Sequence, residues 1–187
     1  MKKNAYSVKR EERIEFEVIA IDKDVYKVHS VITVLDENGK DELGFQQFSD
    51  PFQSLGNVSI QLFDARGVSL QKYKKSNLAK QVAGSGLVPD GNLYYIRFPV
   101  ASYPITMLVD YEVRFNGLLN YPDYEVQLPE QSIESSVFIA TVPAELDLKF
   151  KGKNTSIVPV KTNDGKLNTY SWSVKNLPAL IKEAGSC

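Results

Sequence analysis

The sequence predicts an all-β protein, a β-sandwich of many mostly antiparallel strands with at most short helices. Three observations carry that prediction. Apolar residues recur at every second position along most of the chain, turn-forming clusters separate the runs, and only one interior stretch has any helical character.

In "RIEFEV", Ile14, Phe16 and Val18 face one way and Arg13, Glu15 and Glu17 the other, which is a half-buried strand. "YKVHSVITV" repeats the pattern with Tyr26, Val28, Ser30, Ile32 and Val34, and "DENGK" at 36–40 supplies a turn. "VSIQLF" follows, with Val58, Ile60 and Leu62 on its apolar face, and "DARG" at 64–67 closes it. The lysine-rich "KKSNLAKQV" at 74–82, ended by Gly84, is the one interior helix candidate and reads equally as a fringe loop. After "PDGN" at 89–92 comes "MLVDYEVRF", which alternates Met107, Val109, Tyr111, Val113 and Phe115 with polar neighbours. A break at 116–131, "NGLLNYPDYEVQLPEQ", marks a crossing between two sheets or between two subdomains. "SVFIATV", "LDLKF" and "NTYSWSV" resume the strand pattern, with "NDGK" at 163–166 as a further turn. Prolines 99, 104, 122, 129, 143 and 159 belong at strand ends and edges, because proline cannot donate to a ladder. The expected core comprises Phe16, Val18, Val28, Ile32, Ile60, Leu62, Val109, Tyr111, Val113, Tyr170 and Trp172. Residues 6–177 are expected to form this module. Residues 178–187 follow Asn176, Leu177 and Pro178, which open a helix, and are expected to be a cut-short junction into a further domain.

With 187 residues, 43% of them hydrophobic, the chain can build a core without staples. Its formal net charge of -1 provides no field to gather nucleic acid. No stretch approaches the roughly 18 apolar residues of a membrane helix. "MKKNAYSVKREER" has the basic start of a signal peptide without its apolar middle, so the chain is either cytosolic or has lost a leader. The single cysteine, Cys187, excludes an internal disulfide and leaves the compartment open.

Few residues suggest chemistry. A Cys/His nucleophile would have to come from Cys187 and His29, and the one is terminal while the other sits on a strand face with Lys27 and Thr33. Metal binding would fall to "DENGKDE" at 36–42, which lacks the spacing of a calcium loop and is expected to be a solvated hairpin turn. Asp110 and Glu112 share a strand face with Leu108 and Arg114, as on a wetted sheet surface, and "GSG" at 84–86 lacks the rest of a phosphate loop. No catalytic residue, metal ligand or cofactor site is therefore assigned. Tyr94, Tyr95, Tyr103, Tyr111, Tyr121 and Tyr124 crowd one window. Either they fill a core with their hydroxyls at its edge, or a subset, Tyr94, Tyr103, Tyr121 and Tyr124, forms a binding surface for a glycan or protein.

The order of these features resembles the bacterial domain of unknown function that lies immediately N-terminal to transglutaminase-like domains of the papain-type fold. The resemblance runs from about Tyr6 to Ala184 and is carried by "REERIEFEV" with "YKVHSVITVLDENGK", then "IQLFDARGVSLQKYKKSNL", "NLYYIRFPVASYPITMLVDYEVRF", "YPDYEVQLPEQSIESSVFIATVPAELDLKF" and the closing "YSWSVKNLPALIKE". It implies a non-enzymatic module that packs against a downstream transglutaminase or protease-like domain or presents substrate to it. A periplasmic or secreted location, after removal of a signal peptide, is also implied. The alternative is an independent carbohydrate- or protein-binding module using exposed tyrosines.

Overall fold

A computed structural model describes residues 4–20, 22–83, 91–100, 102–117 and 122–181. Eleven strands form among them: β1 Ser7–Ala20, β2 Lys23–Val34, β3 Gly44–Ser49, β4 Gln53–Phe63, β5 Ser69–Lys74, β6 Ala79–Ala83, β7 Gly91–Arg97, β8 Ile105–Phe115, β9 Gln131–Pro143, β10 Val160–Asn163 and β11 Leu167–Leu177. Eight build one sheet in the order β10-β11-β9-β1-β2-β8-β4-β5, and β3-β7-β6 form a second. β1 and β9 pair in parallel and the other ladders are antiparallel. The all-β class predicted from alternation is the class observed.

Register converts the alternation into two faces. One row across six strands reads Trp172, Phe138, Ile14, Val28, Tyr111 and Val58, all directed to the inner face. The adjacent row reads Ser173, Val137, Arg13, His29, Asp110 and Ser59, on the outer face. A one-residue slip would exchange the two rows and expose the apolar set, so burial fixes the register.

Two different covers bury the inner face. Over β8 and β4 lies the small sheet, whose Phe45 joins Leu43, Phe98, Leu55, Ile60, Met107 and Val113 in one cluster. Over β1, β9 and β11 lie two segments without regular structure. Tyr124 stacks on Phe138 with centroids 5.3 Å apart, and Phe150 meets Trp172 edge-on at 5.3 Å. Beneath them Ile14, Phe16, Val18, Ala140, Val142 and Tyr170 form the second cluster. Tyr26, Tyr111 and Phe115 touch both clusters and mark the seam between the covers. Of the expected core, Ile32, Tyr111 and Trp172 are half-buried and the remainder buried.

Three local expectations are corrected. "DENGKDE" is not a solvated hairpin turn: Asp36 caps a 3-10 helix over Glu37–Glu42, which carries the chain from β2 to the small sheet. Gly39 lies beneath β1, where a Cβ would sit 2.7 Å from the Tyr6 carbonyl oxygen, and Glu42 turns inward to accept hydrogen bonds from Ser7 Oγ and Gln131 Nε2. The stretch 74–82 is one 3-10 turn, Lys75–Asn77, running into β6. Asn176 and Leu177 do not open a helix, because β11 continues through Leu177 and residues 178–181 are non-helical, held by a parallel bridge between Pro129 and Leu180.

One irregularity redirects charge. Residues 9 and 12 of a regular strand point to opposite faces, but β1 shifts register against β2 between Lys9 and Glu11. Both Lys9 and Glu12 consequently turn inward, with side chains 7% and 11% exposed and Nζ 2.9 Å from Oε2.

Candidate functional site

Two concave regions coincide with polar side chains. On the outer face, beside a register shift of β4 between Leu55 and Val58, lies an open depression of about 310 Å³. Its walls are two cross-strand rows, Arg13–His29–Asp110–Ser59 and Glu15–Lys27–Glu112. His29 Nδ1 lies 2.7 Å from Asp110 Oδ1, Arg13 Nε donates to Glu15 at 2.8 Å, and Arg114 Nε donates to Glu112 at 2.6 Å. The row places aspartate between histidine and serine. A serine nucleophile needs imidazole beside its hydroxyl, so this order does not make a hydrolytic triad. Asp110 and Glu112 occupy the wetted face expected of them, each engaged by a neighbouring cation or imidazole.

On the inner face, the seam between the covers opens as a slot of about 260 Å³ lined by Tyr26, Tyr111, Phe115, Val113, Gln47, Gln53 and Pro122. The strands place Tyr26 on β2, Val113, Tyr111 and Phe115 on β8, Gln47 on β3 and Gln53 at the start of β4. Among the described residues no charged side chain lines it. The Tyr26 and Tyr111 rings lie 6.4 Å apart, and Phe45 braces Tyr111 edge-on at 5.2 Å. Burial first, and then the Glu12 carboxylate, raises the Tyr111 phenol to about 12. Burial, Tyr111 and Glu12 likewise raise Tyr26, so both hydroxyls remain protonated donors at neutral pH.

Behind the slot runs a buried polar chain. Ser136 Oγ donates to Glu12 Oε2 at 2.6 Å, Tyr124 OH meets Ser136 Oγ at 2.7 Å, and Lys9 Nζ also reaches the Val126 carbonyl at 3.3 Å. This chain ties the irregular cover to the sheet. Its charges are matched, as burial requires. Farther along, burial raises the Glu42 carboxyl although Ser7 and Gln131 hydrogen-bond it.

Of the four tyrosines expected to form a surface, the three among the described residues pack on the two core clusters. Tyr94, on β7 beneath the Lys75 and Lys80 ammonium groups at 5.6 and 5.9 Å, and Tyr103, before Pro104, pack on the first cluster. Tyr124 packs on the second, and Tyr121 lies outside the described residues, as do Cys187 and residues 84–86. Sequence reasoning missed Tyr26, Gln47 and Gln53, which are separated along the chain and meet only through the two-sheet topology. Among the described residues no group of three or more His, Cys, Asp or Glu is placed to hold a metal ion.

The family model for the domain of unknown function DUF3857, a family with a solved structure, matches residues 22–181. Among solved structures, the chain is similar to a "putative protease" from Parabacteroides distasonis, with TM-score 0.77 and 14% identity over 96% of this chain and 37% of that one. Weaker similarities are to an M1 zinc metallopeptidase from Deinococcus radiodurans (TM-score 0.42, 9% identity, 89% of this chain and 38% of that one) and to leukotriene A4 hydrolase from Saccharomyces cerevisiae (TM-score 0.41, 10% identity, 92% and 27%). No curated protein matches the chain. The chain thus spans well under half the length of the solved proteins it resembles.

Proposed function

The chain belongs to the DUF3857 family, and from that premise we propose that it is a non-catalytic module serving a larger bacterial protein with a transglutaminase or protease-like domain. It packs against that domain or presents substrate to it. The observation that carries this reading is the fold match spanning 96% of this chain but only 37% of a protein described as a protease, so the fold occurs there as one part of a longer polypeptide. The charge pairing agrees with it. Glu112 engages Arg114, Glu12 engages Lys9, and the side chain beside His29 is Asp110 rather than a serine hydroxyl. A periplasmic or secreted location belongs to the same proposal.

The test is to continue the gene beyond residue 187 and to compare the complete polypeptide with one lacking residues 6–177, on a protein substrate and on a short peptide. The expected result is a raised KM for the protein substrate with kcat on the short peptide retained, the signature of lost substrate binding. Turnover by the 187-residue chain alone, or identical kinetics with and without residues 6–177, would overturn the proposal.

A further inference from the structure

The seam slot holds polar capacity that the protein leaves unused. Tyr26 and Tyr111 are half-buried, yet no described residue hydrogen-bonds either hydroxyl, and neither oxygen is among the buried atoms lacking a partner. Both oxygens therefore remain reachable from outside. Gln47 Nε2 donates to the Phe48 carbonyl at 3.1 Å, which leaves its Oε1 to accept, and no described residue hydrogen-bonds the Gln53 side-chain amide. Two phenols and two amides thus converge on one slot whose remaining walls, Phe115, Val113 and Pro122, are apolar.

That combination selects among ligands. An apolar peptide side chain would fill the volume and desolvate the phenols and amides without pairing them, which is unfavourable. Among the described residues an anion would meet no lining cation. A cation would meet no lining carboxylate among them, and the nearby Glu12 charge is already matched by Lys9. A pyranose ring has what the walls ask for, an apolar C–H face for aromatic rings and a rim of hydroxyls that donate and accept. We propose that this slot binds a single neutral sugar residue of a glycan, with Phe115 and the Tyr26 and Tyr111 rings against its apolar face and the two phenol hydroxyls, Gln47 and Gln53 hydrogen-bonding its hydroxyls.

The inference stands apart from the accessory-module proposal, since it is tested on this chain alone and concerns binding rather than turnover. Isothermal titration and amide chemical-shift mapping of the 187-residue chain with maltose, cellobiose and chitobiose, and with sialyllactose as the anionic comparison, decide it. Saturable binding of at least one neutral disaccharide is expected, with shifts centred on Gln47, Gln53 and Tyr111. Tyr111→Phe and Gln53→Leu should each weaken it about threefold to tenfold, the loss of one neutral hydrogen bond. Lys72→Ala, on β5 away from the slot, should leave it unchanged. The proposal is overturned by absence of saturable binding of all three neutral disaccharides, by preference for sialyllactose, or by binding that survives both slot substitutions. Shift changes confined to other regions would overturn it too, a readout that needs no variant to fold.

Discussion

Replacing Asp24 by Asn should stabilise the protein at pH 7. Asp24 sits on β2 beside the β1–β2 turn, pairs with Val18, and is 2% exposed, with Oδ1 buried and unpartnered. Burial raises its carboxyl from 3.8 to about 6. A rise of that size is equivalent to at most about 3 kcal/mol. Relaxation around the charged carboxylate offsets part of this penalty, which leaves about 1–2 kcal/mol. Between pH 4 and 6 the folded state binds the proton more tightly than the unfolded chain, so stability falls as pH rises through that window and stays low above it. Asp24→Asn removes this penalty while keeping the shape. Urea unfolding from pH 4 to 7 should show the variant about 1–2 kcal/mol more stable at pH 7, the two proteins converging near pH 4. A variant less stable than the parent at pH 7, or a difference independent of pH, would refute the reasoning.

Removing one member of the Lys9–Glu12 pair, as in Glu12→Leu or Lys9→Met, should cost about 3 kcal/mol because the other charge is left buried, whereas the Lys9→Met/Glu12→Leu pair together should recover most of that loss; denaturant midpoints of the four proteins form the cycle. Trp172→Ala should cost about 3 kcal/mol, since the indole is half-buried yet bridges Phe138 at 5.5 Å and Phe150 at 5.3 Å, and an unchanged midpoint would show that the irregular cover contributes nothing.

Period-two alternation made most strands legible because burial of one face imposes it, and Ile14, Val28 and Tyr111 fall on the inner face as their spacing predicts. The parallel β1–β9 pairing was not legible. It joins segments more than a hundred residues apart, and nothing local distinguishes a parallel from an antiparallel partner. The inward turn of Lys9 was hidden for another reason: a bulge reverses the parity of one strand without changing its composition. Polarity misled at "DENGKDE", where Glu42 is half-buried and hydrogen-bonded by the buried Ser7 and Gln131, partners supplied by distant strands. At 176–181 the apolar spacing of Leu177, Leu180 and Ile181 suits a helix, yet Pro178 ends β11 and Leu180 bridges to Pro129 instead. The slot needs residues from β2, β3, β4 and β8, and only their topology brings them together.

The accessory-module proposal is tested most directly by hydrogen exchange over Ala179–Ile181, in the chain alone and in a polypeptide continued into the proposed downstream domain. In the chain alone this segment is held through its carbonyls: Glu130 N–H donates to the Leu180 oxygen at 2.8 Å and Gln127 Nε2 to the Pro178 oxygen at 2.7 Å. Leu180 and Ile181 remain 54% and 70% exposed. The parallel bridge engages the Leu180 amide, but no described group accepts from the amides of Ala179 and Ile181, so these two should exchange fast, while Val109–Val113, inside the eight-stranded sheet, stay protected. Joined to the proposed downstream domain, the segment's amides should slow markedly as the exposed side chains are covered. Equal exchange over Ala179–Ile181 in the two proteins would contradict the account.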